Sequence, residues 1–554
     1  MEEKSQIELR VEGMTCDGCA HHVSEALRKV PGVIEAEVPS WKAGRATVVA
    51  AAGVRDSDLV EAVRKAGYRA SVRETRSASG KPRGRKSDGG EYDLMAIGGG
   101  SAAFAAAIKA AELGARVAIV EKGTIGGTCV NVGCVPSKTL IKAAEFRHHA
   151  AHPPFMGLIA CRKPSDWAAV RGQKDSLVTT LRLEKYIHVA DQYPNIEIVH
   201  GEARLLGGRK VSIDGRVHEP RKILIATGSR PWAPPIAGLE EAGYLDSTSA
   251  LSLEALPKSL IVIGGGSIGL ELAQLFARFG VKVTILEVAP RITLPEEPEI
   301  SQALTTYLTE EGLTIRAGVT IDRVERVNGE YCVHAKGNGS QQVYRAEQLL
   351  VAAGRRATTA GFGLEQAGIK LGKKGEILVN EHLQTHNLDI YAAGDCLGDP
   401  MFVYVAAYGG GLAAENALSG ARRVYDLSAL PRVTFTDPQI ASVGLTENQA
   451  KEAGFKVDSA FLEVKNVPRA LASRNTRGLI KLVAEEGTGR LLGAHVLAAE
   501  AGEVIQEATL AIRFHLTVQD LVETYHPYLT MVEGIKLAAL TFKKDVAKLS
   551  CCAA

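Results

Sequence analysis

Two stretches of this chain, 166 residues apart, repeat one pattern, and that repetition limits the possible folds more than any other feature. The first is DLMAIGGGSAAFAAAIKAAELGARVAIVEKG and the second is SLIVIGGGSIGLELAQLFARFGVKVTILEVA. In each, a short apolar run reads as a buried parallel strand, then comes a glycine turn, then a helix, then a second strand ending on an acidic residue. Gly98-Gly99-Gly100-Ser101-Ala102-Ala103 fits G-x-G-x-x-A, and Gly264-Gly265-Gly266-Ser267-Ile268-Gly269 fits G-x-G-x-x-G. Glycines at these places let the backbone close on a pyrophosphate at the positive end of the helix. Glu121 follows Ala103 by 18 residues and Glu287 follows Gly269 by the same 18, where a carboxylate accepts bonds from an adenosine ribose. The pattern predicts an α/β protein with two Rossmann-like dinucleotide-binding domains. One would hold FAD on Gly98, Gly100, Ala103 and Glu121. The other would hold a nicotinamide, NADPH or NADH, on Gly264, Gly266, Gly269 and Glu287. A carboxylate at Glu287 leans the choice toward the bare 2′-hydroxyl of NADH, with Arg291 the nearest base in sequence.

The rest of the chain arranges itself around that repeat. At 554 residues it exceeds one hydrophobic core. Residues 1–75 show the order β-α-β-β-α-β, a small ferredoxin-like unit whose first strand, IELRVEG, leads into the loop Met14-Thr15-Cys16-Asp17-Gly18-Cys19. Residues 76–91, with SASGKPRGRKSDGG, have no apolar periodicity and read as a flexible linker. The first dinucleotide domain is expected at 92–230 and 353–425, the second inserted at 231–352. A C-terminal α+β domain is expected at 426–545, and a cysteine tail at 546–554. Lys+Arg 65 against Asp+Glu 63 leaves a net charge of +2, which points to neither nucleic acid nor an anionic surface. The N-terminus MEEKSQIELR lacks the apolar core of a secretory signal, and no run of apolar residues is long enough to span a bilayer.

Six of the nine cysteines form close pairs, Cys16/Cys19, Cys129/Cys134 and Cys551/Cys552. Close pairs in a long chain without a signal suggest thiols kept reduced for metal or redox work, hence a cytoplasmic protein. Cys161, Cys332 and Cys396 read as small packing residues. Cys129 and Cys134 lie in GGTCVNVGCVPSK, soon after Glu121. Four intervening residues allow a bridge at a helix start, where the helix field favours a thiolate.

GGTCVNVGCVPSK resembles the active-site segment of the flavoprotein disulfide reductases, the family of lipoamide dehydrogenase and glutathione reductase. The resemblance runs over about residues 92–545. It continues in Ala226-Thr227-Gly228, in Gly354-Arg355 and in Tyr391-Ala392-Ala393-Gly394-Asp395. It implies that Cys134 is the thiolate beside the flavin, Cys129 the exchanging one, and Lys138 and Glu271 a pair near flavin N5. It also implies that Asp395 contacts the ribityl-phosphate region, with Thr128, Lys138, Gly228, Gly354 and Arg355 joining the cofactor-binding set. The C-terminal domain would form a homodimer in which each subunit completes the other's site.

GMTCDGC resembles the heavy-metal-associated domain of metallochaperones, where two thiolates hold one soft ion. The tail LSCCAA adds a vicinal pair near the chain end. His526-Pro527 matches the acid–base histidine of the disulfide reductases, yet Met531 stands where their glutamate partner would be and Glu533 comes two residues later. HPYLTMVEG with the double-cysteine tail resembles the mercury-reducing branch of the family. The resemblance implies reduction of Hg(II) to Hg(0), with Cys16, Cys19, Cys129, Cys134, Cys551 and Cys552 as metal-binding residues and Tyr528 positioning the ion. His526 is either a proton donor or a structural remnant. A mercury-delivering transporter is an expected donor of the ion. The alternatives are a lipoamide- or glutathione-type disulfide reductase with a metal-binding appendage, and a metal-sequestering chaperone.

Overall fold

The computed structural model describes residues 4–12, 14, 17–40, 43–51, 54, 56–77, 91–337 and 339–548. Two compact units, Met1–Asp88 and Gly89–Ala554, make up the chain.

The N-terminal unit follows the expected order: strand Lys4–Glu12, helix Asp17–Arg28, strands Val33–Glu37 and Arg45–Ala51, helix Asp56–Lys65 and strand Arg69–Ser77. Its sheet is antiparallel throughout, with Lys4–Glu12 between Arg45–Ala51 and Arg69–Ser77 and with Val33–Glu37 at one edge. Ala46, Val48 and Ala50 alternate inward along one strand, and Ala20, Val23 and Leu27 line one stripe of the first helix, so the two periods meet in one apolar layer. That stripe extends the helix back to Asp17, placing Cys19 in its first turn and not on a loop as the sequence suggests. The last strand runs on to Ser77, past the expected start of the linker.

In the larger unit the first fingerprint opens a five-stranded parallel sheet. Its order is Ile390–Ala392, Lys222–Ile225, Leu94–Ile97, Val117–Glu121, Ile196–His200. Leu94–Ile97 is buried along its whole length, as a strand covered on both faces must be. The chain leaves this sheet at Ile225 and returns to it at Ile390. Between lies a second parallel sheet, ordered Thr314–Ala317, Lys282–Glu287, Ser259–Ile263, Gln348–Val351. Where the chain crosses out and back, Ser229–Pro231 and Arg355–Ala357 pair antiparallel. Each sheet also carries a three-stranded antiparallel appendage, Ala203–Gly207 to Arg216–His218 in one case and Thr320–Val327 to Ser340–Ala346 in the other. The internal repeat therefore extends beyond the motif that reveals it.

A five-stranded antiparallel sheet follows, with Leu491–Ala498 between Gln439–Gly444 and Leu479–Glu485. Every residue of Leu491–Ala498 is buried, because helices Ala501–Arg513 and Glu533–Leu540 supply apolar cover. No helix among the described residues is long and apolar enough to cross a membrane.

Candidate active site

Backbone geometry sets the cysteine pair directly on the first fingerprint turn. Cys129 sits in the one-turn helix Gly127–Asn131, and Cys134 opens the helix Cys134–Ala151. Gly126 and Gly127 have φ of 107° and 63°, a left-handed turn that glycine adopts without strain. A Cβ on Gly127 would lie 2.6 Å from the Cα of Gly100, so the cysteine turn and the fingerprint turn touch backbone to backbone. Asn131 ties the turn down by donating from Nδ2 to the carbonyls of Ile125 and Gly127 at 2.9 and 3.0 Å. The carbonyl of Thr128 accepts from the amide of Val132.

Both sulfurs are free thiols and partly buried. The thiol of Cys134 is lowered to about 7, chiefly by the hydrogen bond from Cys129, with the charge of Lys138 assisting against the cost of burial. The thiol of Cys129 is raised, by that same bond and by burial. Lys138, one helical turn beyond Cys134, donates to Oε2 of Glu271 at 2.7 Å, and Glu271 is almost fully buried in helix Ser267–Arg278. Oε1 of Glu271 accepts from the amide of Phe435 at 2.9 Å. Three parts of the fold thus converge on Lys138: the cysteine helix, the helix of the second fingerprint and the C-terminal sheet. A cavity of about 450 Å³ opens beside this pair, lined also by Arg469 and by Met531.

Two phenols that the sequence did not single out lie within electrostatic reach of the sulfurs. Tyr186 shares a 3.2 Å hydrogen bond with Ser101 at the first fingerprint and interacts electrostatically with both cysteines, its pKa raised first by burial. Tyr404, stacked on Phe402, interacts with Cys134, and burial pushes its phenol up to about 12. No local pattern could have found them.

The two dinucleotide turns have shapes that side chains would fill. At Gly98 (φ 117°) a Cβ would lie 2.2 Å from the carbonyl oxygen of Ala226, and at Gly264 (φ 112°) 2.5 Å from that of Ala352. Gly269 approaches the carbonyl of Gly264 so closely that a Cβ would stand 2.1 Å from it, while Gly100 and Gly266 precede the two helices in extended conformation. Ala103 is fully buried at the corresponding helix position of the first turn. Glu121 and Glu287 both return to their turns, accepting from Gly99 and Gly265. Asp395 opens a single 3-10 turn after strand Ile390–Ala392 and accepts from Ser229 Oγ at 2.7 Å. Arg355 donates to the same Oγ at 2.8 Å, and Gly228 and Gly354 have φ of 69° and 131°. These open glycine turns fit FAD and a nicotinamide nucleotide.

His526 and Tyr528 lie on the C-terminal domain, and the bonds of His526 stay within it. Its Nε2 faces Oε1 of Glu507 at 2.7 Å and its Nδ1 faces the carbonyl of Thr524 at 3.0 Å. Both neighbours are acceptors, so the ring is satisfied only with both nitrogens protonated. The Glu507 bond accordingly raises its pKa. The partner sought five residues downstream comes from helix Ala501–Arg513 instead. Tyr528 is half exposed.

The remaining cysteines divide. Cys396 is fully buried and its Sγ donates to the carbonyls of Ile225 and Ala393, with burial pushing the thiol up to about 12. Cys332 is buried as well. Cys161 is exposed, contrary to the packing role expected of it, because it falls on the connection between helices Cys134–Ala151 and Trp167–Arg182. Cys16, Cys551 and Cys552 lie outside the described residues. Among the described residues no three His, Cys, Asp or Glu side chains cluster as a metal site.

Comparison with known proteins places this geometry. Residues 92–410 match the model of the pyridine nucleotide-disulphide oxidoreductases, 430–539 the dimerisation domain of that family and 8–69 the heavy-metal-associated domain. A mercuric reductase of Staphylococcus aureus is 46% identical over 99% of this chain and 100% of its own. One of Streptomyces lividans is 52% identical over 83% of this chain and 98% of its own, and one of Acidithiobacillus ferrooxidans is 46% identical over 100% of both. Among solved structures, the HOCl-induced flavoprotein disulfide reductase RclA from Escherichia coli superposes with a TM-score of 0.73 at 31% identity, covering 81% of this chain and 99% of that one. This chain therefore belongs to the pyridine nucleotide-disulphide oxidoreductase family and groups within it with the mercuric reductases.

Proposed function

We propose that this protein reduces Hg(II) to volatile Hg(0) at the expense of NAD(P)H, through FAD and the Cys129/Cys134 pair, and so detoxifies mercury. One observation carries the reading: a hydrogen-bonded dithiol with one acidified sulfur is seated on a dinucleotide turn, in a chain similar end to end to mercuric reductases. The first site would hold FAD on Gly98, Gly100, Ala103, Glu121, Thr128, Lys138, Gly228, Gly354, Arg355 and Asp395. The second would hold the nicotinamide on Gly264, Gly266, Gly269 and Glu287. FAD, when bound, supplies two-electron exchange between the nicotinamide and the sulfur-held ion. The balance is NAD(P)H and Hg(II) giving NAD(P)⁺, a proton and Hg(0), with both thiolates regenerated.

The chain's own residues handle the ion. Cys134 offers a thiolate near neutrality, and Cys129 loses its proton as the ion takes the place of that proton between the two sulfurs. Lys138, fixed by Glu271, keeps positive charge beside them. Cys16 and Cys19 would collect Hg(II), from a transporter or a cytosolic thiol, and Cys551 and Cys552 would carry it to the pair. Each transfer exchanges one thiolate for another, so free ion never forms. In a cytoplasmic homodimer the partner subunit's tail would make that delivery, with Tyr528 helping to seat the ion. The His526–Glu507 pair favours a second reading, reduction of a small disulfide, which would need His526 and ignore the tail.

The test uses FAD-loaded protein with Hg(II) in excess thiol, measuring Hg(0) release and nicotinamide oxidation. Wild type is expected to release Hg(0), and Cys134→Ser to release none. The double variant Cys551→Ala/Cys552→Ala should lose at least about tenfold in turnover, since a tethered ligand acts at high effective concentration. Absence of Hg(0) from wild type would overturn the proposal, and unchanged turnover in the tail variant would remove the delivery step.

A further inference from the structure

The second dinucleotide site repeats the first down to the hydrogen bonds on its carboxylate. In the first, Oε2 of Glu121 accepts from the amide of Gly99 and Oε1 from that of Gly123, both at 2.6 Å. In the second, Oε2 of Glu287 accepts from the amide of Gly265 at 2.5 Å and Oε1 from that of Ala289 at 2.6 Å. The donors are equivalent: the middle fingerprint glycine, and the residue two beyond the glutamate. Such a carboxylate cannot swing aside without leaving two backbone N–H groups unpaired, so its charge is fixed where the ribose lies. FAD, the ligand proposed for the first site, has a bare 2′-hydroxyl on its adenosine ribose.

We infer that the second site selects a nicotinamide nucleotide with an unesterified 2′-hydroxyl, NADH, and rejects the 2′-phosphate of NADPH, with Glu287 setting the choice. This rests on the reading of the second fingerprint as the nicotinamide site. Two neighbouring bases are committed elsewhere. Arg291 donates through Nη1 to the carbonyl of Thr293 at 3.2 Å and through Nη2 to that of Leu294 at 2.7 Å. Arg316, on the strand beside Leu286, donates to its neighbour's carbonyl at Ile315. The turn leaves little slack either, since a Cβ on Gly265 would lie 3.1 Å from Oε2 of Glu287. A 2′-phosphate would therefore meet a fixed carboxylate, with neither Arg291 nor Arg316 oriented to offset it.

Isothermal titration calorimetry on the full-length, FAD-loaded protein tests this without turnover, using NAD⁺, NADP⁺, 5′-AMP and adenosine 2′,5′-bisphosphate as probes. NAD⁺ and 5′-AMP should bind about 100-fold more tightly than their 2′-phosphorylated counterparts, the scale of an uncompensated like-charge contact. Glu287→Gln, which keeps an acceptor oxygen but loses the charge, should bring the ratio below about tenfold. Glu287→Asp, which keeps the charge, should retain most of it. Equal or tighter binding of the 2′-phosphorylated probes to wild type would overturn the selectivity, and an unchanged ratio in Glu287→Gln would overturn the assignment to Glu287. If neither member of either pair bound, the nicotinamide reading of the site would itself fall, and this inference with it.

Discussion

Cys129 and Cys134 are the same residue type five positions apart, yet their environments give them opposite acidities. Cys134 receives the S–H of Cys129 at the start of an 18-residue helix and has Lys138 one turn away, while Cys129 is the donor and gains nothing by ionising. In the reduced protein, alkylation of Cys134 by iodoacetamide should rise through a midpoint near pH 7. Cys129→Ala removes the largest cause of the lowering, so its midpoint should move up toward the ordinary thiol range of about 8.5. Peptide mapping of the alkylated sulfur against pH checks both. A midpoint unmoved by the substitution would show that the partner sulfur is not the cause.

In the first dinucleotide domain the helices Ser101–Glu112 and Val403–Ser419 pack backbone against backbone. The first is rich in alanine and the second in alanine and glycine, and a Cβ on Gly410 would lie 2.0 Å from the carbonyl oxygen of Ala102. A backbone carbonyl cannot rotate away as a side chain can. Gly410→Ala should therefore destabilise by about 1–3 kcal/mol through overpacking, despite the better helix propensity of alanine. The urea midpoint measures it. The same contact holds the N-terminus of Ser101–Glu112 beside the Asp395 turn, where a Cβ on Gly394 would meet those of Ala102 and Ala406 at 3.2 and 3.3 Å. Gly410→Ala should thus also loosen retention of FAD, read as flavin lost on gel filtration.

Across the larger unit, buried charge joins the inserted domain to the C-terminal sheet. Lys481 reaches Glu297 and Glu299 at 3.0 Å and Glu447 at 2.9 Å. Removing a buried cation leaves its carboxylates uncompensated, so Lys481→Met should cost about 3–5 kcal/mol in denaturant unfolding. Glu447 is lowered to about 2, first by Lys451 and then by Lys481. A depressed carboxylate adds stability above its unfolded value of 4.5 and loses it as pH falls toward 2. The wild-type melting temperature should therefore drop through that window, and drop less in Lys481→Met.

What could be read from the chain alone was whatever is settled within a few residues. The fingerprint glycines, the acidic residue closing each motif and the spacing of Cys129 and Cys134 are local demands of backbone geometry, and they marked the two dinucleotide folds and the cysteine pair seated on the first of them. Residue periodicity likewise gave the N-terminal β-α-β-β-α-β order, although not the start of its first helix at Asp17. Only the tertiary structure decided which other distant groups meet: Glu507 as the partner of His526, Tyr186 and Tyr404 within electrostatic reach of the sulfurs, and Cys161 at the surface. The reason is physical. A turn needs its own residues to be glycine, whereas a buried charge needs only some opposite charge at the right place, and the packing of the sheets determines which one that is.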